Sequence, residues 1–126
     1  MLYVYSLAEQ TIAVDAPVAF SSIGLSKGKS TVQSTEPTIT INCPGIYEVI
    51  FNGTASAAGG VQLTLNGLDV EGALAEGTSL AFTALVRVNP NCCAVSTNLP
   101  AHLQVVNSGA AALTLTNAAL TIVKVG

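Results

Sequence analysis

The chain has 126 residues, 50% hydrophobic and only 9% charged, with four Lys and Arg against seven Asp and Glu for a formal net charge of −3. That length makes one domain able to bury its own core, but about 25% charged residues is usual for a soluble domain. Lys27, Lys29, Arg87 and Lys124 are scattered, so there is no clustered cationic footprint for nucleic acid, and no apolar run reaches the ~18 residues of a membrane helix.

A chain so poor in charge needs another reason to stay in solution. Its many well-placed turn residues argue against an amyloid-like state. The expectation is assembly, with neighbouring subunits covering apolar surface. Met1 to Ser6 has neither a basic region nor a long apolar region, so no secretory signal is expected.

Leu2 to Tyr5 is a short apolar strand candidate, interrupted at Glu9-Gln10 and resumed at Thr11 to Val14. Asp15-Ala16-Pro17 is a turn and Val18-Ala19-Phe20 a short strand. Ser21 to Ser30 is expected to be a polar loop, and Thr31-Val32 a short strand. Thr38 to Ile41 alternates and leads into Pro44-Gly45, a turn pair.

The strand that follows organises the chain. Tyr47, Val49, Phe51, Gly53, Ala55 and Ala57 lie on one face, and Ile46, Glu48, Ile50, Asn52, Thr54 and Ser56 on the other. Both faces carry apolar residues, so burial is expected on both sides, the second against another copy of the chain. Ala58-Gly59-Gly60 is expected to end this strand. Val61 to Leu65 alternates again, and Asn66-Gly67 before Leu68-Asp69-Val70 is a type I′ hairpin signal. The same dipeptide at Asn52-Gly53 is crossed by unbroken alternation, so Gly53 is read as a close-packing site.

Glu71 to Gly77 is expected to turn. Leu80 to Val88 is a strand, with loops at Asn89 to Cys93 and Ser96 to Pro100, then a strand at His102 to Val106 and a turn at Asn107-Ser108-Gly109. In Ala111 to Val125 the apolar positions change from odd (Leu113, Leu115) to even (Leu120, Ile122). One extra residue near Asn117-Ala118 must therefore be absorbed by a bulge or tight turn. No segment keeps a helical period. Roughly ten short strands with turns every 6–12 residues imply an all-β sandwich or jelly roll.

Chemistry is sparse. Three cysteines, Cys43, Cys92 and Cys93, cannot form a complete intrachain framework. They read as buried hydrophobes, the alternative being a bridge between subunits or from Cys43 to the pair. His102 has no nucleophile–base–acid constellation around it in sequence, so no enzyme is expected. Cys92, Cys93 and His102 have ligand atoms but no Cys-x-x-Cys spacing. Asp69, Glu71 and Glu76 lack the calcium-loop pattern and read as a solvated loop. Neither a metal nor a cofactor is expected. Asn52-Gly53-Thr54 matches a glycosylation sequon, read as accidental within a buried strand.

Three features in order resemble the jelly rolls of the tumour necrosis factor and complement-head superfamily. They are Val14-Asp15-Ala16-Pro17-Val18-Ala19-Phe20 before a Gly- and Ser-containing loop, the Gly45-Ile46-Tyr47 strand followed by Leu65-Asn66-Gly67, and the closing strand Ala119 to Val125. The pattern is most similar to the bacterial and phage branch typified by the C-terminal domain of collagen-like exosporium glycoproteins. The resemblance spans Val14 to Val125. It departs from that branch in lacking a Gly-x-y repeat, and Met1 to Ala13 stands in its place as an attachment segment or extra strand.

The resemblance implies a ten-stranded, non-enzymatic fold that assembles as a homotrimer. The candidate trimer-interface or core residues are Tyr47, Val49, Phe51, Ala55, Ala57, Leu113, Leu115, Leu120 and Ile122; Tyr3 and Tyr5 are candidates for attachment. A bacteriophage virion surface is the expected setting, as capsid fibre, decoration or tail-associated head, with a spore-surface head as an alternative. A second alternative is a host-receptor or carbohydrate-binding module using loops at Ser21–Ser30, Gly72–Ser79 and Asn89–Leu99. None of these loops contains Tyr or Phe, against the aromatic platforms that sugars favour.

Overall fold

The structure, a computed structural model, describes residues 2–26, 32–35, 38–41, 44–88 and 101–125. Cys43, Cys92 and Cys93 lie outside them, and with them the disulfide and metal readings built on those thiols. Nine strands are present among the described residues, against the ten expected: β1 (Leu2–Ser6), β2 (Gln10–Ile12), β3 (Ser22–Ser26), β4 (Val32–Thr35), β5 (Thr38–Ile41), β6 (Gly45–Leu65), β7 (Leu68–Val88), β8 (Ala101–Asn107) and β9 (Leu113–Lys124). All pair antiparallel in the order β3-β1-β9-β6-β8-β5-β4, with β7 on β6 and β2 on β9.

The curl of this sheet comes from β6. Its first half, Tyr47 to Ala55, pairs β9, and its last residues, Val61 to Leu65, pair β8. β7 follows β6 through both halves. The result is two layers around one core. The first layer is β3-β1-β9 with the first half of β6 and the second half of β7. The second is β4-β5-β8 with the remaining halves. Buried residues of both layers form a single cluster that includes Val4, Phe51, Leu120, Leu63, Leu103 and Ile39. Phe51 is the hinge of the packing. Its ring stacks on Phe82 at 5.4 Å and meets the edge of Phe20 at 6.3 Å, geometries that aromatic quadrupoles favour.

The Asn66-Gly67 hairpin is present. Both residues have positive φ, 53° and 84°, and Leu65 faces Leu68 across the turn. Two other glycine signals had a different outcome. Ala58-Gly59-Gly60 does not end β6, and Glu71 to Gly77 is not a turn but part of β7. At the crossing between layers Thr54 faces Ser79 and Gly59 faces Gly77. Residues 55–58 of β6 thus oppose only Thr78, a wide bulge that turns both strands. The small residues relieve the bend without stopping the ladder.

The slip expected in the closing segment is present in β9. Leu115 faces Ala55 while Asn117 faces Thr54, so Thr116 is the extra residue. Its hydroxyl donates to the Thr54 carbonyl at 3.1 Å. Leu113 and Leu115 before it, and Ala118, Leu120 and Ile122 after it, all reach the core.

Two short segments exchange roles relative to expectation. Ser22–Ser26, read as loop, is strand β3 beside β1. Val18 to Phe20, read as strand, crosses the core edge without a ladder. Its backbone is held otherwise: Val18 N–H donates to Val105 O at 2.7 Å, and the Gln10 amide brackets Ala19 with bonds of 2.9 and 3.0 Å. Val18 and Phe20 thereby stay buried while the backbone donors are satisfied.

Asn107 ties this region together. Fully buried, it donates through Nδ2 to Ile12 O and Ala111 O, and its Oδ1 accepts from Gly109 N–H. Asn107→Ala leaves these groups without partners and should cost about 1–3 kcal/mol, read as a lower midpoint in urea unfolding at unchanged slope. Gly53 tests the packing. A Cβ there would sit 3.1 Å from the Phe51 ring and 3.3 Å from Asn117 O. The ring is clamped and the oxygen is backbone, so Gly53→Ala should destabilise by about 1–3 kcal/mol in the same measurement, although alanine ordinarily favours a strand over glycine.

Candidate functional site

Alternation decides what the first layer shows to the outside. Because Tyr47, Val49 and Phe51 point into the core, Ile46, Glu48, Ile50, Asn52 and Thr54 point out. The registers then assemble rows across the layer. Leu25, Tyr3, Thr121, Ile50 and Thr83 form one row, and Tyr5, Ala119, Asn52 and Ala81 the next. Val123, Glu48 and Leu85 form a third, followed by Ile46 beside Arg87. Tyr3, Leu25, Ile46 and Leu85 are exposed, Leu85 at 64%.

Among the described residues this face carries two charges, Glu48 and Arg87. Its two central rows carry none. The strands of β1, β9, β6 and β7 lie about 4.8 Å apart and span nine residues from Ile46 to Thr54, so the face is on the order of 500 Å². That is within the size of the largest patch on a typical monomer, about 300–600 Å², and below the roughly 800 Å² each partner contributes to a standard interface.

Tyr3 and Tyr5 are anchored on this face rather than on a free segment. Their rings stack at 5.7 Å with 28° between planes. A Cβ at Gly24 would lie 2.5 Å from the Tyr3 ring, so that glycine makes the room the ring occupies at the bulge between β1 and β3. On the same strand Leu2 and Val4 enter the core, so residues 2–6 are part of the sheet.

The other expected residues are placed differently. Tyr47, Val49, Phe51, Ala55, Leu113, Leu115, Leu120 and Ile122 are all buried within the subunit itself. They fill its core and have no surface left for a second copy. Ala57 is exposed, in the bulge of β6 beside Ser56 and Ala58. The outward residues Ile46, Ile50, Leu85, Leu25 and Val123 were missed as site residues. The signal for two of them was the apolar content of the second face of the long strand.

The second layer has a different exterior. Asp69, Glu71 and Glu76 stand exposed along β7, on a strand and not on a loop. Among the described residues no three His, Cys, Asp or Glu side chains gather as a metal site would require. His102 opens β8 with its imidazole exposed, beside a cleft lined by Thr38, Asn66, Gly67, His102 and Gln104. Two of the three loops proposed for receptor binding are corrected, since most of 21–30 that is described is β3 and Gly72–Ser79 is β7; Asn89–Leu99 lies outside the described residues. Asn52 of the sequon is exposed, so the burial argument against it fails for that side chain, which stands on a regular strand. Among the described residues no helix is long and apolar enough to cross a membrane.

The fold has solved counterparts. The PRD1 vertex protein P5 superposes with a TM-score of 0.65 at 14% identity, covering 99% of this chain and 96% of that one. No curated protein is significantly similar. A family model described as the BclA C-terminal domain matches residues 2–126, which is nearly every residue from which the two layers and their outer faces are built. The chain belongs to the BclA C-terminal domain family.

Proposed function

We propose that this protein is a non-enzymatic structural head that assembles as a homotrimer on the surface of a bacteriophage virion. The observation that carries the self-association is the outer face of the first layer, whose two central rows, with Tyr3, Ile50 and Thr83, carry no charge. In water that face holds apolar area which a second copy would cover at about 25 cal/mol per Å². A face covered by an identical subunit needs few charges, and a chain with 9% charged residues has few to place elsewhere.

The virion setting is favoured by the fold shared with a phage vertex protein. The family itself favours a second setting, a spore-surface head. Mass spectrometry of purified phage particles and of purified spores from the source strain separates them. The virion reading expects the chain in the particles and not on the spores, and the reverse result overturns it.

Self-association is tested by light scattering behind size exclusion. The unmodified chain should run at three times its subunit mass. Leu85→Glu places a charge at the most exposed apolar residue of the face and should yield single subunits with an unchanged far-UV spectrum, since an exposed substitution alters subunit stability by no more than about 0.5 kcal/mol. An unmodified chain at single-subunit mass contradicts the trimer.

A further inference from the structure

The cleft beside His102 is on the second layer, away from the face assigned to self-association, and is independent of that assignment. Its volume is about 520 Å³ and its lining residues are Thr38, Asn66, Gly67, His102 and Gln104, a size usual for small-molecule sites. Among the described residues the lining contains no Lys, Arg, Asp or Glu and no aliphatic side chain larger than a methyl group. That composition fits neither an ionic ligand nor a lipid tail. It fits a neutral molecule dense in hydrogen-bonding groups.

The polar groups are held in place. Asn66 sits at positive φ in the hairpin turn, and its Oδ1 accepts from His102 N–H at 2.9 Å, while its own N–H donates to His102 O at 2.8 Å. The backbone bond holds the residue and the Oδ1 bond orients its amide, so its Nδ2 remains as a donor. Gln104 Nε2 donates to Thr38 Oγ1 at 2.8 Å, which fixes the second amide and leaves its Oε1 as an acceptor. The Asn66 Nδ2, the Gln104 Oε1 and the His102 imidazole have no protein partner among the described residues. A donor and an acceptor in one cleft with an imidazole are the complement of neighbouring sugar hydroxyls, each of which both donates and accepts. The imidazole also supplies a ring face, in a lining with no Tyr, Phe or Trp among the described residues.

We propose that this cleft binds one unit of a neutral carbohydrate, through Asn66, Gln104 and His102. The affinity expected of so few contacts is weak, about millimolar.

The test is nitrogen-resolved NMR titration of the full chain with glucose, galactose, rhamnose and N-acetylglucosamine, with an uncharged tripeptide as the control. At least one sugar should move the Asn66 and Gln104 side-chain amide signals together with His102, saturably, leaving Tyr3 and Tyr5 unmoved. Asn66→Gly keeps the turn, because glycine accepts positive φ, and removes the amide. It and Gln104→Ala should each weaken binding about tenfold, with the far-UV spectrum of the unmodified chain. The assignment is overturned if no sugar moves these signals, if the tripeptide moves them equally, or if binding persists unchanged in the double variant.

Discussion

Successive side chains of a strand leave it on opposite sides, and the first half of β6 carries apolar residues on both, with Glu48 its one charge. One side, with Tyr47, Val49 and Phe51, is satisfied within the subunit by Phe20, Phe82 and the inward residues of β9. The other, with Ile46, Ile50, Asn52 and Thr54, is extended by β1, β9 and β7 into a broad face with no charge at its centre. A single sheet of this kind cannot bury both sides. The curl through residues 55–60 gives one side a second layer to pack on and leaves the other facing outward. The fold and the proposed assembly are therefore two answers to one constraint, the desolvation of a two-sided strand.

Much of this fold was legible from local chemistry. Asn66-Gly67 could be read because a turn with two positive φ values admits few residue pairs. The slip at Thr116 could be read because Leu115 and Leu120 differ in parity and both must reach the core. The glycines at 59, 60, 72 and 77 misled, because a residue that permits a turn equally permits a strand to bend. Whether the chain stops or continues there depends on neighbours far away in sequence, here β8 for the end of β6. Val18 to Phe20 misled in the other direction. Its apolar residues are buried as a strand's would be, but Gln10 and Val105 supply its hydrogen bonds.

The site was less legible for a related reason. Period-2 alternation groups Tyr47 with Phe51 and Ile46 with Ile50, but it does not say which group faces the second layer and which faces outward. The more apolar group goes inward, and the residues expected at the trimer interface or in the core are mostly in the core. The cleft at His102 was not visible as a site in the sequence, because Thr38, Asn66 and Gln104 come from three separate strands or turns. The register of β5 with β8 and the return of the β6–β7 hairpin bring them together. With the self-association face on one layer and the cleft on the other, an assembly that hides the first leaves the second open to solvent.

The central claim is that the outer face of the first layer is covered and that of the second is not. Hydroxyl-radical labelling of the native protein, read residue by residue by mass spectrometry, compares the two directly. Tyr3, Tyr5, Ile46 and Leu85 should label slowly although they are accessible in the isolated subunit, while Leu68 and Leu74 of the second layer should label at the rate of free side chains. Equal, fast labelling of Tyr3, Leu85, Leu68 and Leu74 would contradict the claim.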